Sequence, residues 1–230
     1  MTEPTPGSGQ SAADPGALAP RRQGEATRRA LIQAAVSVFA EHGYEAASVR
    51  VITAKAKVNQ GAITYHFGGK DGLYRAVLET VRDSLGAQPL LSAADVDRYT
   101  PEETVRLFIR QTLAALGESM RAKRYLRVMA WEQLRPTAVR RRLSAEKPFA
   151  TVVLAGRIVR RLRPEADERT VAVATAWLMG QIVTFVRDGE YLAAPPFSLV
   201  LDAASLDELV ERLTELCLGG LAEVGPRHQA

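Results

Sequence analysis

Along most of the chain, apolar residues recur three and four positions apart, the period that turns one side of an α-helix toward a core. The first such run, from Glu25 onward, holds Leu31, Ala34, Ala35, Val38 and Phe39. Gly43 ends it, being able to take the left-handed conformation of a helix C-cap, and Tyr44 just beyond can fold back on the last turn. Ser48 is a good N-cap for a short second helix with Val49, Ile52 and Ala56 on one side. Asn59 can cap a third, in which Ile63 and Phe67 are four apart and share a face. Two short helices joined by about three residues make a helix-turn-helix.

The periodicity predicts further helices over about 70–84, 101–121, 123–135, 147–163, 167–188 and 205–223. Pro101, Pro136, Pro148, Pro164 and the pair Pro195 and Pro196 fall at or beside their ends. No stretch alternates with a period of two between hairpin turns, so the expected fold class is all-α. The first residues, "MTEPTPGSGQSAADPGALAP", offer too few large apolar groups to offset the entropy of ordering them, and residues 1–24 are expected to be a disordered tail.

Charge adds a polarity to this outline. The chain of 230 residues carries a net charge of +4, but Arg21 to Arg75 holds nine Lys or Arg against four Asp or Glu. That excess favours an anionic partner for the N-terminal part, although a solvated basic face gives the same count. Arg21 and Arg22, with Arg28 and Arg29 at the start of the first helix, can reach a DNA minor groove or simply solubilise a helix end.

The stretch "VNQGAITYHFGGKDGLY", residues 58–74, gathers the candidate chemistry. With Ile63 and Phe67 turned to the core, Gln60, Gly61, Thr64 and Tyr65 lie on or beside the outward face. The small residues Gly61 and Ala62 allow close approach, and Gln60 and Thr64 can bond base edges in a major groove. Tyr65, His66 and Lys70 can donate to phosphate oxygens, as can the backbone amides behind Ser48 and Asn59.

Residues 27–79 resemble the DNA-binding domain of the TetR family of bacterial regulators. The resemblance is carried by the Phe39, Gly43 and Tyr44 corner, by Ser48 and Val49, by the run Thr64, Tyr65, His66 and Phe67, and by Lys70 followed by Leu73 and Tyr74. It implies that Ser48, Tyr65, His66 and Lys70 hold phosphates and that Asn59, Gln60, Gly61 and Thr64 read bases. The turn usually carries Gly where this chain has Lys57, and an acidic residue is common where it has Val51. A left-handed Lys costs roughly 1 kcal/mol relative to Gly, and Lys57 marks either a slightly different turn or an extra phosphate contact. The implied organisation is a helix-turn-helix domain over residues 25–72, then a helical effector-binding and dimerisation domain over residues 73–225.

Farther along, "WEQLRPTAVRRRL" and "MGQIVTFVRDGEYL" resemble the branch whose C-terminal domain is like that of the cephalosporin and chloramphenicol sensitivity regulator. Two late apolar stripes, Val171, Ala174, Leu178 and Ile182 on one helix and Leu206, Leu209, Leu213 and Leu216 on another, can pack within a monomer. The resemblance instead implies that they meet their copies in a four-helix homodimer interface, which would present two recognition helices to a palindromic operator. Tyr125, Met129, Trp131, Phe149, Trp177 and Phe185, with Gln133 and Gln181 for orientation, are either core or the lining of an effector pocket. Arg121, Lys123, Arg124, Arg127, Arg135, Arg140, Arg141 and Arg142 form either a second anionic site or a solvated face balanced by Glu118, Glu132 and Glu146.

The remaining classes find little support. The three histidines, His42, His66 and His228, make no metal-ligand spacing, no Ser, His and Asp set is suggested, and no Gly-rich phosphate loop is present, so neither catalysis nor a cofactor or metal is expected. The single Cys217, among Leu213, Leu216 and Leu221, reads as buried packing. Apolar runs are too short for a membrane span, and the expected address is the cytoplasm. The expected function is a ligand-responsive transcriptional regulator, most simply a repressor released from double-stranded DNA by a small molecule. The alternative is a nucleoid-type protein that binds DNA with little sequence preference.

Overall fold

The computed structural model describes residues 15–86, 91–117, 120–200, 202 and 204–222, and among them every regular element is an α-helix. α1 (Pro15–Ala46), α2 (Val49–Ala56), α3 (Gly61–Phe67) and α4 (Lys70–Gly86) make up the N-terminal part. α1 begins ten residues earlier than its apolar periodicity predicts, taking in residues 15–24. Proline suits a first helical position, and lengthening a formed helix needs no new nucleus. The first 14 residues, and the side chains of Arg21 and Arg22, lie outside what the structure describes.

α1 is broken where the sequence places its end. Gly43 has φ 72° and ψ 179°, a region essentially closed to residues with a Cβ. Beyond the break Tyr44 folds back, its ring centroid 6.1 Å from that of Phe39 and 4.8 Å from that of Tyr74. α2 closes at Lys57, whose φ of 56° and ψ of 42° are the left-handed cap that the missing glycine would have supplied.

The N-terminal core buries Leu31, Ala35, Phe39, Ile52, Ile63, Leu73, Tyr74 and Leu78, each large apolar side chain contributing about 1.5–3 kcal/mol. It also recruits Tyr125 and Val128 from α7 (Met120–Leu134) and Leu143 from α8 (Ala138–Glu146), so packing runs across the boundary drawn at residue 72. Before α7 come α5 (Ala93–Arg98) and α6 (Pro101–Gly117). A second core joins α6 to α9 (Ala150–Leu162), α10 (Glu168–Arg187) and α12 (Leu206–Ala222), with Phe108, Ile109, Ile158, Leu178, Ile182 and Val210 buried. The short α11 (Gly189–Ala193) follows α10. Cys217 is packed in this core, and burial pushes its thiol up to about 11. No helix among the described residues is long and apolar enough to cross a membrane.

The second core bears on the expected interface. Val171, Ala174, Leu178 and Ile182 of α10 and Leu213 of α12 are buried inside the monomer, and Leu206 and Leu209 pack partly buried against them. Of the residues assigned to a dimer, Leu216 alone stands out, 68% exposed. Helical periodicity locates a buried stripe but does not say whether the same chain covers it.

Candidate nucleic-acid interface

Two contacts fix the presentation of α3. Ile63 is buried beneath it and Phe67 is partly buried at its end, so Gln60, Gly61, Thr64 and Tyr65 all point outward. Tyr65 is 85% exposed, unusual for an aromatic ring with nothing to cover it. The helix is held close to α4 by Gly72, where a Cβ would lie 1.8 Å from the Phe67 carbonyl oxygen.

The flanking polar groups are differently committed. Ser48 occupies the N-cap position of α2 in extended conformation, but its side chain makes no capping bond and its hydroxyl is left for another acceptor or donor. Asn59 does cap: its Oδ1 accepts the Ala62 amide at 3.0 Å, which leaves the side-chain amide nitrogen and one oxygen lone pair to meet a base. Lys70 donates to the Glu45 carbonyl at 3.2 Å and sits 4.6 Å from the Tyr44 ring centroid, so its ammonium is held at the junction of α1 and α4. His66 is half-buried, edge-on to Tyr65 at 4.9 Å, and Lys57 is exposed in the turn. Arg28 lies over the Phe67 ring at 5.2 Å, which places a cation of α1 at the end of α3. Burial, then the hydrogen bond to Asp71, push the Tyr44 hydroxyl up to about 12.

Behind this surface α4 is tied to the C-terminal helices. Tyr74 donates to Glu132 of α7 at 2.5 Å, and burial followed by that bond raises its hydroxyl well above the ordinary tyrosine value. Glu132, itself buried, also accepts the Thr137 amide and hydroxyl, each at 2.9 Å. Arg75 forks onto Glu146 of α8 at 3.1 and 2.5 Å.

These bonds bear on the basic cluster. Glu132 is buried and Glu146 is taken by Arg75, so neither forms an ion pair with the exposed cations of α7, α8 and the turn between them, and Glu118 lies outside the described residues. Arg140 is the exception within the cluster: it is half-buried, 4.4 Å from the Phe149 ring centroid, and desolvation lowers its guanidinium below the usual range.

The residues expected to line one pocket are dispersed. Tyr125 and Met129 pack in or against the N-terminal core, and Phe185 against the C-terminal core. Trp131 covers Gly43 and donates to the Ala40 carbonyl at 3.3 Å. Trp177 sits over Gly220, where a Cβ would stand 2.6 Å from the ring. Phe149 lies under Arg140, Gln133 is exposed and accepts from Arg187 at 3.4 Å, and the Gln181 side chain turns back to the Trp177 carbonyl at 3.4 Å. Sequence reasoning missed the inter-helix roles of both tryptophans. The signal was there in the glycines, Gly43 and Gly220, that make room for them.

Residues 31–77 match the profile described as bacterial regulatory proteins, tetR family, and residues 101–221 match that of the C-terminal domain of the HTH-type transcriptional dual regulator CecR. CecR of Shigella flexneri is 34% identical over 99 residues, 43% of this chain and 44% of that one. The HTH-type transcriptional repressor NicS of Pseudomonas putida is 30% identical over 144 residues, 62% of this chain and 63% of its own. The chain therefore covers less than two thirds of the length of either relative. By fold it is similar to AibR, solved in complex with isovaleryl coenzyme A and operator DNA, with a TM-score of 0.58 at 16% identity over 84% of this chain and 97% of that chain.

Proposed function

Because the chain belongs to the TetR family of bacterial regulatory proteins, with a C-terminal domain of the CecR kind, we propose that it is a ligand-responsive, DNA-binding transcriptional regulator of the cytoplasm, a repressor released from a palindromic operator by a small molecule. The observation that carries this reading is the outward face of α3. Gln60, Gly61, Thr64 and an 85% exposed Tyr65 form a surface whose polar groups suit base edges and phosphates, and whose small residue lets a major groove approach.

The dimer is proposed on the side of the same two helices that the chain leaves exposed. Val173 and Trp177 of α10 and Leu216 of α12 are 62%, 38% and 68% exposed, and Gly180 and Gly219 beside them leave room for a second copy. Two copies joined there would set their recognition helices on half-sites about one turn apart, on the order of 34 Å. The effector would act through α4, which packs in the N-terminal core and is bonded to α7 and α8 by Tyr74 and Arg75. A ligand that favours one placement of α7 shifts α4 with it and changes the spacing of the two recognition helices. Met129, Gln133, Gln181 and Phe185, not fully buried, are the former pocket residues best left for such contacts.

The test is a titration of the full chain against DNA from upstream of its own gene at two salt concentrations, with random competitor and with Tyr65→Phe and Lys70→Ala alongside. Binding that resists competitor, weakens with salt and drops in both variants supports a sequence-specific regulator. Binding equal on all sequences would leave the nucleoid-type reading in its place.

A further inference from the structure

Six exposed cations of α7, the turn after it and α8, Arg121, Lys123, Arg124, Arg127, Arg135 and Arg142, make no ion pair with a carboxylate among the described residues, nor does Arg141, which donates to the Pro136 carbonyl. The direction in which they face is fixed by a tryptophan. Arg124, Arg127 and Trp131 share one stripe of α7 at intervals of three and four, and Arg135, just past its end, extends that stripe because its amide still donates to the Trp131 carbonyl at 2.8 Å. The Trp131 ring covers Gly43, so the stripe faces the corner where α1 gives way to α2. That corner leads into Ser48, and Lys70 is bonded to it through the Glu45 carbonyl. Arg127 and Arg135 stand one turn before and one turn after the tryptophan. The stripe therefore runs toward the DNA-binding end at the corner that holds Ser48 and Lys70. The carboxylates of Glu41 and Glu45 on the same corner are exposed and pair with none of these arginines; Glu41 lies 3.8 Å from His42.

We infer that Arg124, Arg127 and Arg135 form a second contact with duplex DNA, on the sugar–phosphate backbone outside the base pairs met by α3. A guanidinium presents paired donors that match phosphate oxygens. Such contacts carry no sequence information, but they add affinity by releasing condensed counterions. They also explain why a helix of the C-terminal domain keeps unbalanced charge on the side turned toward the N-terminal domain. The inference rests on the DNA-binding reading given above.

The experiment uses the full chain and a duplex that it selects from a random-sequence pool, prepared in two lengths: trimmed to the protected core, and extended by one helical turn on each side. Wild type is expected to bind the long form about tenfold tighter than the trimmed one. In Arg124→Ala/Arg127→Ala/Arg135→Ala the two lengths become equivalent, and the slope of log affinity against log salt on the long form falls by about 0.9 for each phosphate left without its arginine. The corresponding triple Lys variant keeps the length effect. A triple Ala variant with wild-type melting behaviour that retains both the length effect and the slope overturns the inference while leaving operator binding intact. If wild type itself selects no sequence and binds no duplex, the DNA-binding reading falls with it.

Discussion

Trp131 of α7 covers the backbone of Gly43 in α1: a Cβ on that glycine would stand 3.0 Å from the ring, and the indole N–H reaches the Ala40 carbonyl at 3.3 Å. A C-terminal helix thus rests on the one residue of α1 whose φ of 72° and ψ of 179° require glycine. Gly43→Ala should lose about 1–3 kcal/mol from backbone strain alone, with a further loss from displacing the ring. Urea denaturation checks this, and a variant as stable as wild type would contradict it. Trp131→Ala leaves the glycine conformer open. Its expected effect is on coupling: the ratio of DNA affinities with and without effector should move toward one.

The Tyr74 and Glu132 pair gives a pH-dependent test of the same junction. Removing the hydroxyl in Tyr74→Phe leaves a buried carboxylate with Thr137 as its partner, a cost of about 1–3 kcal/mol at neutral pH. The direction with pH follows from the raised hydroxyl. Its contribution is complete below the ordinary tyrosine value of 10.0 and is lost as pH rises toward the higher folded-state value, because the unfolded chain deprotonates first. Wild-type stability should therefore fall more steeply than that of Tyr74→Phe above about pH 10 in parallel denaturation series.

Much of this junction was hidden in the sequence, while the surface it supports was not. Ile63 and Phe67 at a spacing of four fix which side of α3 faces out, and no distant residue is needed to see it. The Gly43 break was legible for the same reason, since local backbone geometry dictates it, whereas the left-handed Lys57 was only one of the alternatives that the resemblance left open. α8 was missed because nine residues with Val139 and Leu143 as their large apolar side chains give periodicity little to act on; Thr137, which accepts the Arg140 amide at 3.1 Å, was its available cap signal. The contacts of Trp131, Trp177 and Glu132 were hidden for another reason. Their partners lie on other helices, and a one-dimensional pattern ranks an aromatic as core or pocket without knowing which glycine it covers. The burial of Leu178 and Ile182 within the chain was hidden likewise, because the residues that pack with them lie on α6, α9 and α12.

On the DNA-facing surface, residues aimed at phosphates and residues aimed at bases should separate experimentally. Lys70→Ala should weaken binding to every duplex by a similar factor and reduce the salt slope by about 1. Gln60→Ala or Thr64→Ala should instead cost about 1–3 kcal/mol on the preferred sequence and little on others. Gly72→Ala is a different kind of change: its Cβ would meet the Phe67 carbonyl at 1.8 Å, so α3 must shift and binding to all sequences should fall. Titrations on selected and scrambled duplexes, each over a range of salt concentrations, distinguish the three patterns. A Lys70→Ala protein with altered base preference would reverse the assignment.

The proposed dimer can be tested by setting one side of α12 against the inner side of α10. Leu216 is 68% exposed beside Gly219 and Gly220, and the Trp177 ring bridges from α10 onto Gly220, so an arginine at position 216 would be solvated in a monomer and desolvated between two copies. Leu216→Arg should thus leave the monomer's folding intact, shift the sedimentation coefficient to that of one chain, and reduce operator affinity because one recognition helix holds a half-site alone. Leu178, assigned from periodicity to the same interface, is fully buried within the chain. Leu178→Ala should cost about 2–5 kcal/mol of stability through the cavity it leaves, without changing the mass of the folded species. The reverse result, a monomeric Leu178→Ala and an unchanged Leu216→Arg, would return the interface to the inner stripe and require α10 to leave its place in the monomer core.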